Sequence, residues 1–153
     1  MVLWMVLIFC FSARDGGTSE QDSYHIGIVA GRILVPGFSE WTEEKQTLFA
    51  EKVDHPIRKT AHAMEYAILG MLILGAYMDG EKSRMRCMCV SWSIATAYAA
   101  TDEFHQLFVS GRSGQLTDVM IDSSGALAGV LVIFMIFLTN TSKNSPILYR
   151  WLR

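Results

Sequence analysis

Charge is scarce in this chain. Asp, Glu, Lys and Arg make up 18% of its 153 residues, against about 25% in an ordinary soluble domain. The shortfall is uneven, because most of the charge falls in the first third and in short connections. No face is rich in Lys and Arg, and the formal net charge is −2, which excludes an electrostatically driven nucleic-acid binder. Cysteine is limited to Cys10, Cys87 and Cys89, too few for a disulfide framework and wrongly spaced for zinc. Cys87 and Cys89 lie two apart on a predicted helix and point to opposite sides. All three are expected to be buried, unreactive thiols. No Ser or Cys sits in a nucleophile motif, which weighs against covalent catalysis. No basic segment precedes Val2, so the opening apolar run lacks the start of a signal peptide. The bulky Phe9 before Cys10 disfavours lipoprotein processing.

What remains is hydrophobicity, at 51% of the residues. Four apolar segments read as membrane spans, at 1–12, 57–78, 87–109 and 116–138. The first is short against a hydrocarbon core of about 30 Å. The polar stretch 13–55 reads as an insertion. Within it Asp15-Gly16-Gly17-Thr18-Ser19 has loop composition. Residues 40–54 read as an amphipathic helix with Ser39 as its N-cap. Pro56 is expected to open a fresh helix, since proline is favoured at the first helical position. The predicted fold is all-α: an integral membrane four-helix bundle with an extra amphipathic helix outside. Lys82, Arg84 and Arg86, with Lys143, Arg150 and Arg153 in the tail, set the orientation by the positive-inside rule. Both termini are then cytoplasmic, and the insertion and the 110–116 turn are extracytoplasmic.

Three charged clusters fall inside these spans or at their mouths: Arg58 to Tyr66, Asp102 to Gln106, and Asp118 to Asp122. A charged side chain at the bilayer centre costs about 2.5–3.5 kcal/mol on insertion scales, so such groups face protein, pair with one another or meet a ligand. In the expected topology all three lie near the outer surface. Glu65 is about 12 Å deep, and Glu103 and Asp122 about 9 Å, by the helical rise. Arg58, His62 and Glu65 share one helical stripe, as do Asp118, Asp122, Gly125 and Gly129. Gly125 and Gly129 form a small-xxx-small pattern that admits a neighbouring helix closely. The acids are expected to converge, with Arg58 or Arg112 bonded to Asp102, Glu103, Asp118 or Asp122.

The order Arg58, Lys59, His62, Glu65, Tyr66, then Asp102, Glu103, Gln106, then Gly111, Arg112, then Asp118, Asp122, Gly125 resembles the VanZ-like family of small bacterial membrane proteins. Ile8-Phe9-Cys10-Phe11-Ser12 resembles the end of the family's first span. The resemblance covers about residues 1–138 and departs from the pattern at Ser110, where proline is common in relatives. It implies a protein of the bacterial cytoplasmic membrane, related to one tied to resistance to the glycopeptide teicoplanin, and implies no settled reaction.

Two functional classes follow, beside a purely structural bundle serving a larger envelope complex. As a binding module the site would take an anionic, lipid-linked envelope component, such as a cell-wall precursor or a phospholipid headgroup. Arg58, Lys59 and Arg112 would hold phosphate, and His62, Glu65, Tyr66, Asp102, Glu103, Gln106, Asp118 and Asp122 would complete the site. As an enzyme on such a lipid, His62, Glu65 and Asp102 are the candidate acid–base groups. His62 and Glu65 also have the i, i+3 spacing of two metal ligands on one helix face. The sequence specifies no cofactor and no oligomeric state.

Overall fold

The computed structural model describes residues 1–78 and 83–144, and side chains through residue 139. Described residues form five α-helices, α1 (Val2–Ser12), α2 (Gly16–Leu34), α3 (Glu43–Tyr77), α4 (Arg84–Gln106) and α5 (Leu116–Asn144), with a 3₁₀ turn at Phe38–Glu40 and no strand. Lys82 and the tail basic residues Arg150 and Arg153 lie outside the described residues.

The polar insertion departs most from expectation. The Asp-Gly-Gly-Thr stretch is a helix start rather than a loop. The Asp15 carboxylate accepts from the Thr18 backbone N–H at 2.9 Å and from its hydroxyl at 2.6 Å, which satisfies an otherwise orphaned donor. These hydrogen bonds from Thr18 hold Asp15 below its ordinary pKa. Helix α2 then runs for 19 residues and packs against the first part of α3. Gly27 lies against Ala50 and Val53, and Gly31 against the Phe38 ring. The Tyr24 hydroxyl meets that of Thr47 at 3.2 Å.

The predicted amphipathic helix and the predicted second span are one helix. Thr42, not Ser39, caps α3 by accepting from Lys45 N–H at 3.4 Å. Pro56 lies inside the helix rather than opening it. A proline there removes one backbone hydrogen bond and crowds the preceding turn. Its neighbours offset this: Arg58 reaches across the proline to Asp54 at 2.8 Å, and Ser23 of α2 bonds the same carboxylate. The Ser23 contact ties this part of α3 to another helix.

Helices α1, α4, α5 and the second half of α3 form the bundle. Ile8, Tyr66, Leu69, Ile73, Ala95, Ala99 and Ala126 make one buried cluster, and Leu74, Cys87 and Val130 a second nearer the far end. Helices α3 and α5 approach most closely, through Gly125 and Gly129 against the Ala63 and Ala67 carbonyls and through Gly70 against that of Ala126. The short α1 is tied in by polar contacts. Trp4 Nε1 donates to the Glu65 carbonyl at 2.9 Å, Tyr98 OH to that of Met5 at 2.7 Å, and Gln106 Nε2 to Ser12 Oγ at 3.1 Å. Thus α1 and α4 run toward the same end of the bundle, where α3 enters and α5 begins.

Helix α4 stops at Gln106, short of 109. Leu107, Phe108 and Val109 instead donate to carbonyls three residues back, a tightening common at helix ends. Of the cysteines only Cys87 is buried. Cys10 and Cys89 are exposed thiols, contrary to expectation, because their helix faces turn outward. One described helix, Leu116–Thr139, is long and apolar enough to cross a membrane, and Val2–Ser12 is apolar but shorter.

Candidate functional site

The sequence-predicted clusters meet where α1 ends, α2 begins, α3 enters the bundle, α4 ends and α5 starts. Asp102, Glu103 and Asp122 are 3%, 5% and 1% exposed, so the carboxylates point inward. Asp122 lies within electrostatic reach of Glu103, Asp102, Asp118 and Glu65, Glu65 of Asp102 and Arg112, and Arg112 of Arg58, Asp102, Glu103 and Arg14. Convergence is therefore a property of the fold.

The pairing of charges differs from the expected one. Asp118 is bound by Lys59, not by Arg58 or Arg112, because Lys59 is the cation on the α3 face turned to α5. Arg58 is held by Asp54, one turn earlier on its own helix. Two of the three candidate phosphate ligands, Arg58 and Lys59, thus already have carboxylate partners. Arg112 forms no ion pair within 4 Å among the described residues. Its Nε donates to the Arg14 backbone carbonyl at 3.3 Å. Burial, then the neighbouring Arg58, pushes the Arg112 guanidinium below its ordinary pKa, while Asp102 and Glu103 oppose the shift.

A cavity of about 200 Å³ opens at this end, lined by Phe11, Arg14, Ser19, Asp22, Ala61, His62, Glu65 and Arg112. His62 Nδ1 lies 3.9 Å from Glu65 Oε2, and Arg14 pairs with Asp22 at 2.6 Å. Sequence reasoning found His62, Glu65 and Arg112 but missed Arg14, Ser19 and Asp22. The signal for them was the Asp15–Thr18 capping pattern. Read as a helix start, it carries Ser19 and Asp22 over the end of the bundle. The docking is fixed by Gly16, whose N–H donates to the Ser110 carbonyl at 3.0 Å. Gly111 follows at φ +71°, and a Cβ on Gly16 would strike its carbonyl. A left-handed backbone at 111 favours glycine, and the turn it makes carries Arg112 to the cavity.

The other predicted residues lie behind or beside the cavity. Glu103 accepts from Gln115 N–H at 3.0 Å, capping the approach to α5. Gln106 is bonded to Ser12. Tyr66 is fully buried with its hydroxyl toward Asp102 and Asp122. Ser12, Tyr66 and Gln106 turn polar groups toward Asp102. None closes to a hydrogen bond: both Asp102 oxygens, Asp122 Oδ2 and the Tyr66 hydroxyl lack a partner among the described residues. No group of three or more His, Cys, Asp or Glu side chains among the described residues is arranged to hold a metal ion, so His62 and Glu65 have no third ligand of those types. His105 packs on Phe9 at 4.5 Å between ring centres, within electrostatic reach of Asp102.

Comparison with known families gives a match to the VanZ/LLP1 family over residues 1–138. No curated protein and no solved structure gives a significant match.

Proposed function

The chain belongs to the VanZ/LLP1 family, and on that premise we propose that it is a multi-pass membrane protein binding a phosphate-bearing lipid headgroup of the cell envelope in its end cavity. The observation that carries the reading is the meeting of Arg14, Arg112 and His62 on one small cavity, with Arg112 in no carboxylate ion pair among the described residues. A guanidinium offers planar, paired donors suited to phosphate, and partial burial strengthens such a contact. The cavity volume favours a headgroup. It lies below the roughly 300–1,000 Å³ of sites for drug-sized molecules, too little for a whole sugar–peptide precursor.

The bilayer placement rests on the outer surface of the bundle. Val2, Leu3, Val6, Leu131, Val132 and Met135 are among many large apolar side chains left exposed, far more than a water-soluble monomer normally shows as a continuous coat. The two acids of α4, Asp102 and Glu103, are buried at the site end of the helix, so its averaged hydropathy understates how apolar its outer face is. The positive-inside rule then puts Arg84 and Arg86 in the cytoplasm and the cavity on the extracytoplasmic side.

Orientation is tested in a variant with Cys10, Cys87 and Cys89 replaced. A membrane-impermeant maleimide should label Ser113→Cys on intact cells and Ser83→Cys only after lysis. The reverse pattern moves the site to the cytoplasmic side. Binding is tested by Arg112→Gln. Purified protein titrated with short-chain phospholipid should lose affinity on the order of tenfold or more, the scale of removing a charged hydrogen-bond partner. Unchanged affinity would remove Arg112 from the site and the phosphate reading with it.

A further inference from the structure

We infer that Asp22 is a built-in competitor for the phosphate: carboxylate and ligand share the Arg14 guanidinium, so binding exchanges one for the other. The inference rests on the phosphate-site reading above and adds the residue that sets the affinity of that site.

Arg14, Arg112, Asp22 and Glu65 are the charged residues of the cavity lining. Two guanidinium groups against two carboxylates cancel, counting His62 as neutral, so the lining as it stands exerts little pull on an anion. Turning Asp22 out leaves one positive charge in excess. The two carboxylates are held differently. Glu65 belongs to the bundle helix α3, has a side chain 22% exposed and lies 3.9 Å from His62 Nδ1. The Asp22 side chain is 53% exposed, with Arg14 as its ion-pair partner at 2.6 Å. Its backbone is nevertheless fixed beside the cavity. Gly16 docks the start of α2 on the Ser110 carbonyl, and Asp15 caps the same helix through Thr18. The carboxylate can therefore rotate into water while staying within reach of Arg14. Exposed ion pairs contribute little stability, so this one exchanges partners at small cost. Lys59–Asp118 and Arg58–Asp54 are different, with side chains between 12% and 25% exposed. Arg112 completes the arrangement. Its Nε donates to the Arg14 carbonyl at 3.3 Å, which fixes the Arg14 backbone and uses one donor of a many-donor fork. The remaining Arg112 donors and the released Arg14 guanidinium then serve a single phosphate, whose tetrahedral oxygens can engage both.

The test is a double-mutant cycle on the full chain purified in detergent and titrated calorimetrically with dihexanoyl phosphatidylglycerol. Asp22→Asn should bind about threefold to fivefold more tightly than the unaltered protein, the scale of an exposed ion pair. In an Arg14→Gln background, where Arg112 and His62 still line the cavity, the same change should bring no gain, because no guanidinium is left to release. Asp22→Glu keeps a competing carboxylate and should bind as the unaltered protein does. Soluble glycerophosphoglycerol, the headgroup without acyl chains, should show the same gain on Asp22→Asn, since the exchange occurs at the phosphate. Both altered side chains are at least 41% exposed, so the fold should survive each change, and thermal unfolding checks it. Unchanged or weaker binding by Asp22→Asn overturns the inference and leaves the phosphate site standing. A gain of equal size in the Arg14→Gln background also overturns it, since Asp22 would then act as a general negative charge and not through Arg14. A gain confined to the acylated ligand, or one shared by Asp22→Glu, does the same. If neither ligand binds any variant, the phosphate reading falls with it.

Discussion

Gly129→Leu is expected to leave almost no folded protein. The α3–α5 contact is backbone against backbone: a Cβ at Gly129 or Gly125 would run into the carbonyl of Ala67 or Ala63, and one at Gly70 into that of Ala126. A carbonyl fixed in a helix cannot swing aside as a flexible side chain does. The helices would have to separate, dislodging Tyr66, Leu69 and Ala126 from the bundle core. Ordinary overpacking costs about 1–3 kcal/mol. Here the cost should exceed that range, because a whole interface opens rather than one rotamer shifting. The control is Gly75→Leu on the same helix pair, where nothing lies within 4 Å of the added Cβ and helix propensity favours the larger residue. Size-exclusion profile and thermal unfolding in detergent would report both. A Gly129→Leu protein as monodisperse and stable as Gly75→Leu would mean that α3 and α5 do not pack through these positions.

Asp118→Asn should destabilise the protein by about 2–3 kcal/mol, and Lys59→Met in the same chain should restore most of it. The pair joins α3 to α5 at the site end with side chains 22% and 12% exposed. Removing one partner of a fully buried pair costs about 3–5 kcal/mol, much of it the penalty of the stranded charge, and partial access to solvent reduces that here. Methionine keeps the length of the lysine stem without the charge, so the double variant strands nothing. Chemical unfolding of the two single variants and the double variant gives the coupling directly. Equal stability of Asp118→Asn and the unaltered protein would show that the contact contributes nothing to the fold. The double variant also separates a structural role from a binding one. Its phospholipid affinity should persist, since Arg14, His62 and Arg112 line the cavity and Lys59 does not.

The sequence by itself determined the faces. A residue's place on a helix follows from 3.6-residue periodicity, a local property. Arg58, His62 and Glu65 as one stripe, Asp118 below Asp122, and Gly125 and Gly129 as a close-packing edge could all be read before any helix was placed. The start of α5 at Leu116 was legible for the same reason, since a glycine-bearing turn precedes a long apolar run. Tertiary structure decided what periodicity cannot express, which is distance between helices. Lys59 rather than Arg58 meets Asp118 because the glycine contacts set how α3 is rotated and how near α5 comes. Arg14, Ser19 and Asp22 reach the cavity only because Gly16 can dock on the 110–111 turn. Pro56 shows the limit of local rules most plainly. Its lost hydrogen bond is a fixed local cost, whereas the Asp54 contacts to Arg58 and Ser23 that brace the helix around it include one from α2, a helix whose packing no window around residue 56 contains.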